Sequence, residues 1–357
     1  MQTTSTIERR RPSAGARAAR ILGRVLAVIL ATVLLFAVFL IGVMAIVTRG
    51  PSREAERLFV LSARETSALK FLPSWFLSEE EIASIVDPPA SAPDPYRELA
   101  FEPRKSGGDA PAETPAPVTP AEPTDELEII DIRKSTFKGK LMIVHDPARV
   151  VVGTLARYGG AGLFLTEFVA EYGAVAGTNA GGFDDPDGMG NGGIPDGLVI
   201  RDGQIAYGSP NVFYSNVISL DADHILHVGN MTGQQALNLG AVSAVSFAPG
   251  PVLIQDGVRL PDLGGGVNPR TCIGQRADGA MLLAVIEGRH PDSIGATFDD
   301  IADLMVEYGA INAANLDGGS SSTMIYEGEQ ITRGSTLVGA RRLATAILVL
   351  PPQGGAA

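Results

Sequence analysis

The sequence predicts an α+β domain, a mixed β-sheet with few helices, that follows a single membrane-spanning helix. Three observations predict it: an uncharged apolar run near the N-terminus, a Pro- and Ala-rich stretch after it, and short β-rich runs separated by turns beyond residue 126. We therefore expect the chain to have five parts. In order, these are a basic cytoplasmic tail at 1–24, a transmembrane helix at 25–48, a helical stalk at 49–86, a disordered linker at 87–125 and the domain at 126–352.

The apolar run predicts a membrane anchor. Val25 to Thr48 contains no charged residue, and this run exceeds the roughly 20 apolar residues that a bilayer requires. Six arginines and one glutamate precede the run, so the positive-inside tendency places the N-terminus in the cytoplasm and the rest of the chain outside. A cleaved signal peptide is the alternative, although its apolar core would be shorter. We expect a single-pass protein of the cell membrane.

Charge and cysteine content narrow the possible partners. The chain has a formal net charge of −12, and because the segment up to residue 48 carries six Arg and one Glu, the remainder carries −17. Such a charge argues against a nucleic-acid partner, since duplex binding relies on a basic face. Cys272 is the only cysteine, so an internal disulfide and a cysteine-based zinc cluster are both excluded.

The stalk and the linker differ in composition. From Pro51 to about Val86, leucines recur among charged residues, and Ser78 with Glu81 forms a capping-box pattern that predicts a helix start. From Asp87 the sequence becomes rich in Pro, Ala and Glu, a composition that cannot bury a core. This stretch is predicted to be an extended spacer.

The domain is predicted to be mainly β-structure. Asp-Gly pairs at 202–203 and 256–257 indicate hairpin turns. The clearest helix is Phe298 to Tyr308, which Thr297 caps, and a second helix is predicted from Gly162 to Tyr172. Strands are predicted at 140–144, 150–152, 197–200, 204–207, 224–228, 251–254, 281–286 and 344–350.

The run from Asn315 to Met324, Asn-Leu-Asp-Gly-Gly-Ser-Ser-Ser-Thr-Met, is typical of a binding or catalytic site. Its glycines free the backbone to turn sharply, and its consecutive N–H groups and hydroxyls suit phosphate or sugar oxygens. Asp317 adds a group able to move a proton or to stabilise a cation. A polar turn after a strand is the plainer interpretation.

A short internal repeat predicts where a second turn lies. The tetrapeptide Glu-Tyr-Gly-Ala occurs at 171–174 and at 307–310, and each copy is followed by an asparagine, Asn179 or Asn315, and then by a glycine turn. We expect the two turns at equivalent strand ends of one sheet, facing one cleft.

With these residues identified, the chain resembles the phosphodiester glycosidase family over roughly residues 128–350. The blocks that carry the resemblance are Pro269–Gln275, Val285–Arg289, the helix ending at 307–310, and Asn315–Gly319 followed by Ser321–Met324. The resemblance implies hydrolysis of a glycosyl-1-phosphodiester, and for an anchored bacterial member a place in cell-envelope or exopolysaccharide metabolism. The sequence departs from the family pattern at Ser320, where a third glycine is usual, and at Glu287, where Asp is frequent.

The residues allow specific roles in such a reaction. Asp317 would be the base or an electrostatic stabiliser, and Glu287 the second carboxylate or an orienting partner of Arg289. Arg270 or Arg289 would hold the diester, because a guanidinium matches phosphate oxygens in a fork. Asn179 and Asn315 would bind sugar hydroxyls or an acetamide. The remaining substrate-binding residues are predicted to be Thr271, Gly318, Gly319, Ser321, Ser322 and Thr323.

No cofactor is required by the sequence, and a metal site is left open. Asp185, Asp187 and Asn191 offer oxygens as in a calcium loop, but the twelve-residue spacing and its terminal Glu are absent. Two other functions remain open: a phosphodiesterase that cleaves the P–O bond in the same pocket, and a non-catalytic surface module that binds sugar-phosphate polymers.

Overall fold

The structure, a computed structural model, describes residues 14–66, 69–86, 127–185, 191–335 and 339–352, and the side chains of 14–20 are not described. The predicted linker at 87–125, residues 1–13 and Asp187 lie outside the described residues. The chain divides into two compact units, Met1–Phe59 and Val60–Ala357. The division falls inside the predicted stalk, so the residues after Phe59 belong with the strands.

The first unit consists mainly of helix α1 (Ala14–Arg49). Its stretch Ile21–Arg49 contains an 18-residue window that has a mean hydropathy of 3.0 and is not buried by protein, so it is long and apolar enough to cross a membrane or to act as a signal anchor. Helix α2 (Arg53–Arg64) follows, and helix α3 (Glu79–Val86) begins where the sequence predicts it, because the Ser78 hydroxyl accepts from the Glu81 N–H at 3.2 Å.

Besides α3 and the end of α2, the described part of the second unit contains three sheets and three short α-helices, which confirms the α+β class. The helices are α4 (Leu165–Glu171), α5 (Gly233–Asn238) and α6 (Phe298–Glu307). The strands are β1 (Leu127–Arg133), β2 (Lys138–Val144), β3 (Val150–Thr154), β4 (Ala176–Asn179), β5 (Val199–Arg201), β6 (Gln204–Tyr207), β7 (Phe213–Asp221), β8 (Leu226–Thr232), β9 (Ala241–Ser246), β10 (Val252–Gln255), β11 (Val258–Arg259), β12 (Arg270–Arg276), β13 (Met281–Ile286), β14 (Ala310–Leu316), β15 (Met324–Tyr326), β16 (Glu329–Gln330) and β17 (Thr345–Val349).

The sheets are antiparallel at each described strand pair. The largest has the order β1-β2-β13-β12-β14-β10-β11, and the two five-stranded sheets have the orders β16-β15-β4-β17-β3 and β6-β5-β9-β7-β8. The hairpin turns are confirmed, since Asp202 and Gly203 link β5 to β6 with φ values of 51° and 70°. The main core lies between these sheets and α6, and every residue of β13 is buried.

Helix α6 positions the strand that leads to the candidate site. The Thr297 hydroxyl accepts from the Asp300 N–H at 3.1 Å, which confirms the predicted cap. Gly309 ends the helix at a φ of 82°, as Gly173 does after α4 at 60°, so both copies of the repeat use glycine as a left-handed stop.

The two repeats do not lead into one sheet, so that part of the prediction is wrong. β4 belongs to a five-stranded sheet and β14 to the seven-stranded sheet. Their ends nevertheless meet, because the Asp317 N–H donates to the Ala180 carbonyl at 2.8 Å. The packing of the two sheets therefore brings together two glycine turns, each of which follows a strand of a different sheet.

Candidate functional site

Asp317 lies in a recess at the end of β14. Its side chain keeps partial solvent access. Its pKa is raised from the ordinary 3.8 to about 7, chiefly by burial and in smaller part by the negative charge of Asp196, while the Ser321 hydroxyl and the Gly318 N–H oppose the rise. A carboxyl group that is surrounded by protein and still reached by water can exchange a proton near neutral pH.

Asn179 ties the two glycine turns together. Its side-chain N–H donates to the Asp317 main-chain carbonyl at 2.6 Å. Its side-chain oxygen accepts from the Thr271 hydroxyl at 2.8 Å and from the Thr323 N–H at 3.2 Å. Asn179 is fully buried, so these contacts favour a role in fixing Asp317. The prediction that it binds a sugar hydroxyl is not tested by this arrangement.

The glycines after Asp317 are required by close backbone packing. Gly319 has a φ of 61°, and a Cβ there would lie 3.3 Å from the Arg289 guanidinium. A Cβ on Gly318 would lie 2.9 Å from the Pro269 carbonyl, closer than a side chain tolerates. The Gly319 N–H donates to that same carbonyl at 2.8 Å. Glycine at both positions therefore lets the loop lie against the start of β12.

Several buried polar atoms near Asp317 have no hydrogen-bond partner among the described residues. They include the Asn315 side-chain oxygen, the Ser322 hydroxyl and the Asn216 side-chain oxygen. The Asn216 side-chain N–H donates to the Asn315 main-chain carbonyl at 2.7 Å, so the two asparagines are adjacent. Because unsatisfied buried polar atoms are costly, their concentration here favours a polar ligand.

Arg289 lies at the rim of the recess. Its guanidinium donates to the Ser320 hydroxyl at 3.0 Å, the Thr66 hydroxyl at 3.0 Å and the Asn268 side-chain oxygen at 3.2 Å. Within the described chain none of these acceptors is a carboxylate, so the charge remains for an anionic group. Burial, and then the neighbouring Arg270, lower its pKa from the ordinary 12.5.

Arg270 is engaged by the protein itself. It pairs with Glu65 at 2.8 Å, donates to the Ala296 and Gly266 carbonyls, and lies over the Phe298 ring with its Cζ 3.8 Å from the centroid. Its side chain is only 4% exposed. These contacts favour a structural role, and of the two arginines predicted to hold the diester the structure leaves Arg289 the more accessible.

Glu287 forms an ion pair with Arg333, whereas the sequence suggested Arg289 as its partner. One carboxylate oxygen accepts from the Arg333 Nε at 2.6 Å and the other from the Arg333 N–H at 2.9 Å. Arg333 also pairs with Asp292 at 2.9 Å. The structure places Glu287 in this ion-pair network, and its catalytic role stays a prediction.

The calcium suggestion is not tested by the described residues. Asp185 forms an ion pair with Arg341. Asp187 lies outside the described residues, and in the part of the chain that the structure covers no cluster of three or more His, Cys, Asp or Glu residues forms. Of the remaining predicted residues, Thr271 lies at the start of β12, and Ser321, Ser322 and Thr323 lie in the turn after Asp317.

Sequence reasoning missed three contributors to this region. Asp196 was not singled out, because its closeness to Asp317 depends on the packing of two sheets. Asn216 has a φ of 49° at a bulge of β7, a strand that the pattern did not predict. Glu65 was assigned to the stalk, and its acidic side chain gave no signal of a buried partner.

Comparisons with known proteins agree with this geometry. The chain is 44% identical over 64 residues to the SPbeta prophage-derived uncharacterized protein YomE of Bacillus subtilis (strain 168), a match that covers 18% of this chain and 10% of that protein. It superposes on the catalytic domain of zebrafish N-acetylglucosamine-1-phosphodiester alpha-N-acetylglucosaminidase, auto-inhibited by its pro-peptide, with a TM-score of 0.52 and 21% identity over 63% of this chain and 82% of that one. The sequence pattern of the phosphodiester glycosidases matches residues 172–350, just over half of the chain. The protein therefore belongs to the phosphodiester glycosidase family.

Proposed function

We propose that the protein hydrolyses the glycosidic C1–O bond of a sugar-1-phosphodiester in a cell-envelope or exopolysaccharide component. The observation that carries this proposal is Asp317, a half-buried carboxyl group whose pKa is raised to about 7, with unsatisfied hydroxyl and amide oxygens buried close to it. Such a group is suited to general acid–base work near neutral pH. Membership of the family supports the reaction class.

The reaction needs modest help from the protein. Water attacks C1, the C1–O bond breaks, and the bonding electron pair leaves with a phosphate monoester, which is already a stable leaving group. Asp317 takes a proton from the attacking water and also stabilises the positive charge that develops on the sugar ring. Because the leaving group needs little protonation, the reaction as proposed requires no cofactor, and EDTA should leave the rate unchanged.

The Arg289 guanidinium is our candidate for holding the diester. It lies beside Gly319 and donates to Ser320, so a phosphate at this point would meet both a positive charge and turn N–H groups. An anionic oxygen of the diester accepts a hydrogen bond more strongly than the neutral oxygens that Arg289 contacts now. Asn315 and Asn216 would bind sugar hydroxyls, since their free side-chain oxygens are acceptors.

A second carboxylate would complete a glycosidase pair. Asp196 is exposed and close enough for its charge to raise the pKa of Asp317, which supports it for this role. Glu287 is the other candidate, and its two bonds to Arg333 make it the less available one. Asp196→Asn should lower kcat by at least ~10-fold, and Glu287→Gln by less, with kcat measured on one diester.

We also propose that the domain works outside the cytoplasmic membrane. The six arginines before the apolar helix support an N-terminus held in the cytoplasm. A protease added to intact cells should digest the C-terminal domain and spare the N-terminal tail. Protection of the domain in intact cells would contradict this orientation.

The experiment that tests the function uses the full chain in detergent micelles and oxygen-18 water. The first substrate is an N-acetylglucosamine-1-phosphodiester, because the zebrafish protein is named for it, followed by other sugar-1-phosphodiesters. Label in the freed sugar supports C1–O cleavage, and label in the phosphate supports a phosphodiesterase. Asp317→Asn should abolish turnover, whereas a non-catalytic binding module would keep its affinity for the diester and show no turnover in either form.

A further inference from the structure

A second concave feature lies between the end of β3 and the β5–β6 hairpin. It is a cavity of about 460 Å³, lined by residues 155–159, Ile194, Arg201 and residues 206–207. This volume falls within the range of small-molecule sites, and the lining combines apolar and aromatic surface with a few polar groups. None of these residues belongs to the recess around Asp317.

The cavity carries positive charge in an acidic protein. Arg157 is exposed at its edge, and Arg201 donates to the Leu155 carbonyl at 3.0 Å, which fixes its guanidinium in the wall. Within the described chain neither arginine forms an ion pair with a carboxylate. Since the chain beyond residue 48 has a formal charge of −17, two guanidiniums left without acidic partners at one cavity point to an anionic ligand.

Two tyrosines provide the rest of the wall. The rings of Tyr158 and Tyr207 meet edge to face with centroids 5.5 Å apart. The buried Tyr158 hydroxyl lies near Thr154 and Leu155 without meeting hydrogen-bond geometry. Burial raises the pKa of this hydroxyl to about 12, so it stays a neutral donor. Aromatic faces pack against the apolar face of a sugar ring, and a buried hydroxyl can serve one of its oxygens.

The cavity is linked to the recess by one short segment. Ile194 lines the cavity, and Asp196, two residues on, raises the pKa of Asp317 by its charge. Two residues of extended chain span at most about 7 Å. The Asp184 N–H donates to the Ile194 carbonyl at 2.8 Å and the Asp196 N–H to the Gly182 carbonyl at 2.9 Å, so the segment is pinned to the loop after Asn179.

We infer that this cavity binds a phosphate-bearing sugar unit. In the substrate this unit is adjacent to the sugar held at Asp317, so the substrate is a polymer or oligomer of sugar phosphates. The inference rests on the proposed function for the link to catalysis. Arg157 and Arg201 bind the phosphate, and the tyrosine pair packs against the sugar.

Binding is tested first, without turnover. The full chain in micelles is titrated by calorimetry with N-acetylglucosamine 6-phosphate, N-acetylglucosamine and inorganic phosphate. We expect the phosphosugar to bind at least tenfold more tightly than either part alone. Arg157→Gln should weaken it at least tenfold, and Arg133→Gln, a matched loss of an exposed arginine on β1, should leave it unchanged.

Asp317→Asn should also leave this binding unchanged. Loss of binding in Asp317→Asn together with normal binding in Arg157→Gln would overturn the inference, because the ligand would then lie in the recess. Equal affinity for the phosphosugar and the neutral sugar would overturn it as well.

Turnover is tested second, with a methyl sugar-1-phosphodiester and with a diester that carries a second sugar phosphate. Arg157→Gln should raise KM at least tenfold for the longer substrate and leave the shorter one unchanged. An equal effect on both would contradict the inference. If neither substrate is hydrolysed while the phosphosugar binds, the proposed function fails and the cavity remains a sugar-phosphate site.

Discussion

The side-chain amide of Asn179 donates to the main-chain carbonyl of Asp317 at 2.6 Å, joining the ends of strands from two different sheets. The catalytic candidate is therefore held by its backbone, which leaves its carboxyl group free to meet a ligand. This arrangement separates the residue that positions from the residue that reacts, and it makes their mutants distinguishable.

Asn179→Ala should reduce both stability and activity. It leaves the Thr271 hydroxyl, the Thr323 N–H and the Asp317 carbonyl without their present partner, and we expect a loss of about 2–4 kcal/mol in the free energy of unfolding. Urea unfolding monitored by circular dichroism measures this. Asn179→Asp would bury a carboxyl group against the Asp317 carbonyl, so it should cost at least as much. If Asn179→Ala instead raised only KM, a direct contact with the sugar would be indicated.

Asp317→Asn should stabilise the fold at neutral pH. The folded chain holds the Asp317 proton up to about pH 7 and the unfolded chain releases it near 3.8, so the folded state binds more protons in that window. The free energy of unfolding of the native protein therefore falls as pH rises from about 4 to 7. The free energy of unfolding of Asp317→Asn should lack this decrease.

We expect the advantage of Asp317→Asn to reach on the order of 1–2 kcal/mol at pH 8, discounted for the partial exposure of the side chain, and to vanish near pH 4. Chemical unfolding of both proteins at pH 4, 6 and 8 checks it. An advantage that is constant across these pH values would show that the Asp317 pKa is not raised.

Gly319→Ala should damage the site more than it damages the fold. Its left-handed φ of 61° costs roughly 1–2 kcal/mol for any other residue, and the new Cβ would push against Arg289. Gly328 provides a matched control, because its φ is 80° and no atom lies within 4 Å of an added Cβ.

Both alanine variants should lose similar stability. Only Gly319→Ala should lower kcat/KM, by about tenfold, which corresponds to roughly 1.4 kcal/mol of transition-state binding. Steady-state kinetics and thermal unfolding of the pair give the comparison. Equal kinetic losses in the two variants would mean that the loop around Arg289 is not part of the site.

Glu65→Ala should destabilise the domain. It leaves the buried guanidinium of Arg270 without its carboxylate, at a cost of about 2 kcal/mol given that Glu65 is itself partly exposed. Arg270→Met in the same chain should restore most of that loss, since the unpaired charge is then gone. A double variant no more stable than the single one would contradict this explanation.

A fragment that starts at residue 126 should be destabilised for the same reason as Glu65→Ala. It lacks Glu65, Ser62 and Thr66, which contact the loop before β12 and Arg289. We expect its unfolding temperature to lie several degrees below that of the full chain.

Glu287→Gln should keep most of the activity. Glutamine retains one acceptor for Arg333, whose own side chain is 45% exposed, so the structural loss is within about 1 kcal/mol. A fall in kcat as large as that of Asp317→Asn would restore Glu287 as the second carboxylate. The comparison uses one diester and a pH profile of both variants.

The sequence predicted the features whose causes are local. The Asp-Gly turn at 202–203, the capped helix α6 and the apolar strand β13 each follow from a few adjacent residues. The glycines at 318 and 319 were also recognised, since their turn precedes a run of hydroxyls.

Features that depend on distant packing were missed or misplaced. β12 contains Arg270, Thr271 and Gln275, which look polar, and it is buried because β13 and β14 flank it. Asp196 and Asp317 come close together only when the sheets pack against each other. Arg270 was predicted at the diester because a guanidinium suits phosphate, and that role stays a prediction; no local pattern revealed Glu65 as its partner.

The placement of Val60–Thr66 with the strands has a consequence for residues 87–125. Both neighbours of that stretch, α3 and β1, belong to one compact unit, so the stretch connects two elements of the same unit. Doubling its length would add only about 0.6 kcal/mol of closure entropy. A protease that nicks the chain there should leave two fragments held together by Glu65, Arg270 and their neighbours, which should separate only when the unit is denatured.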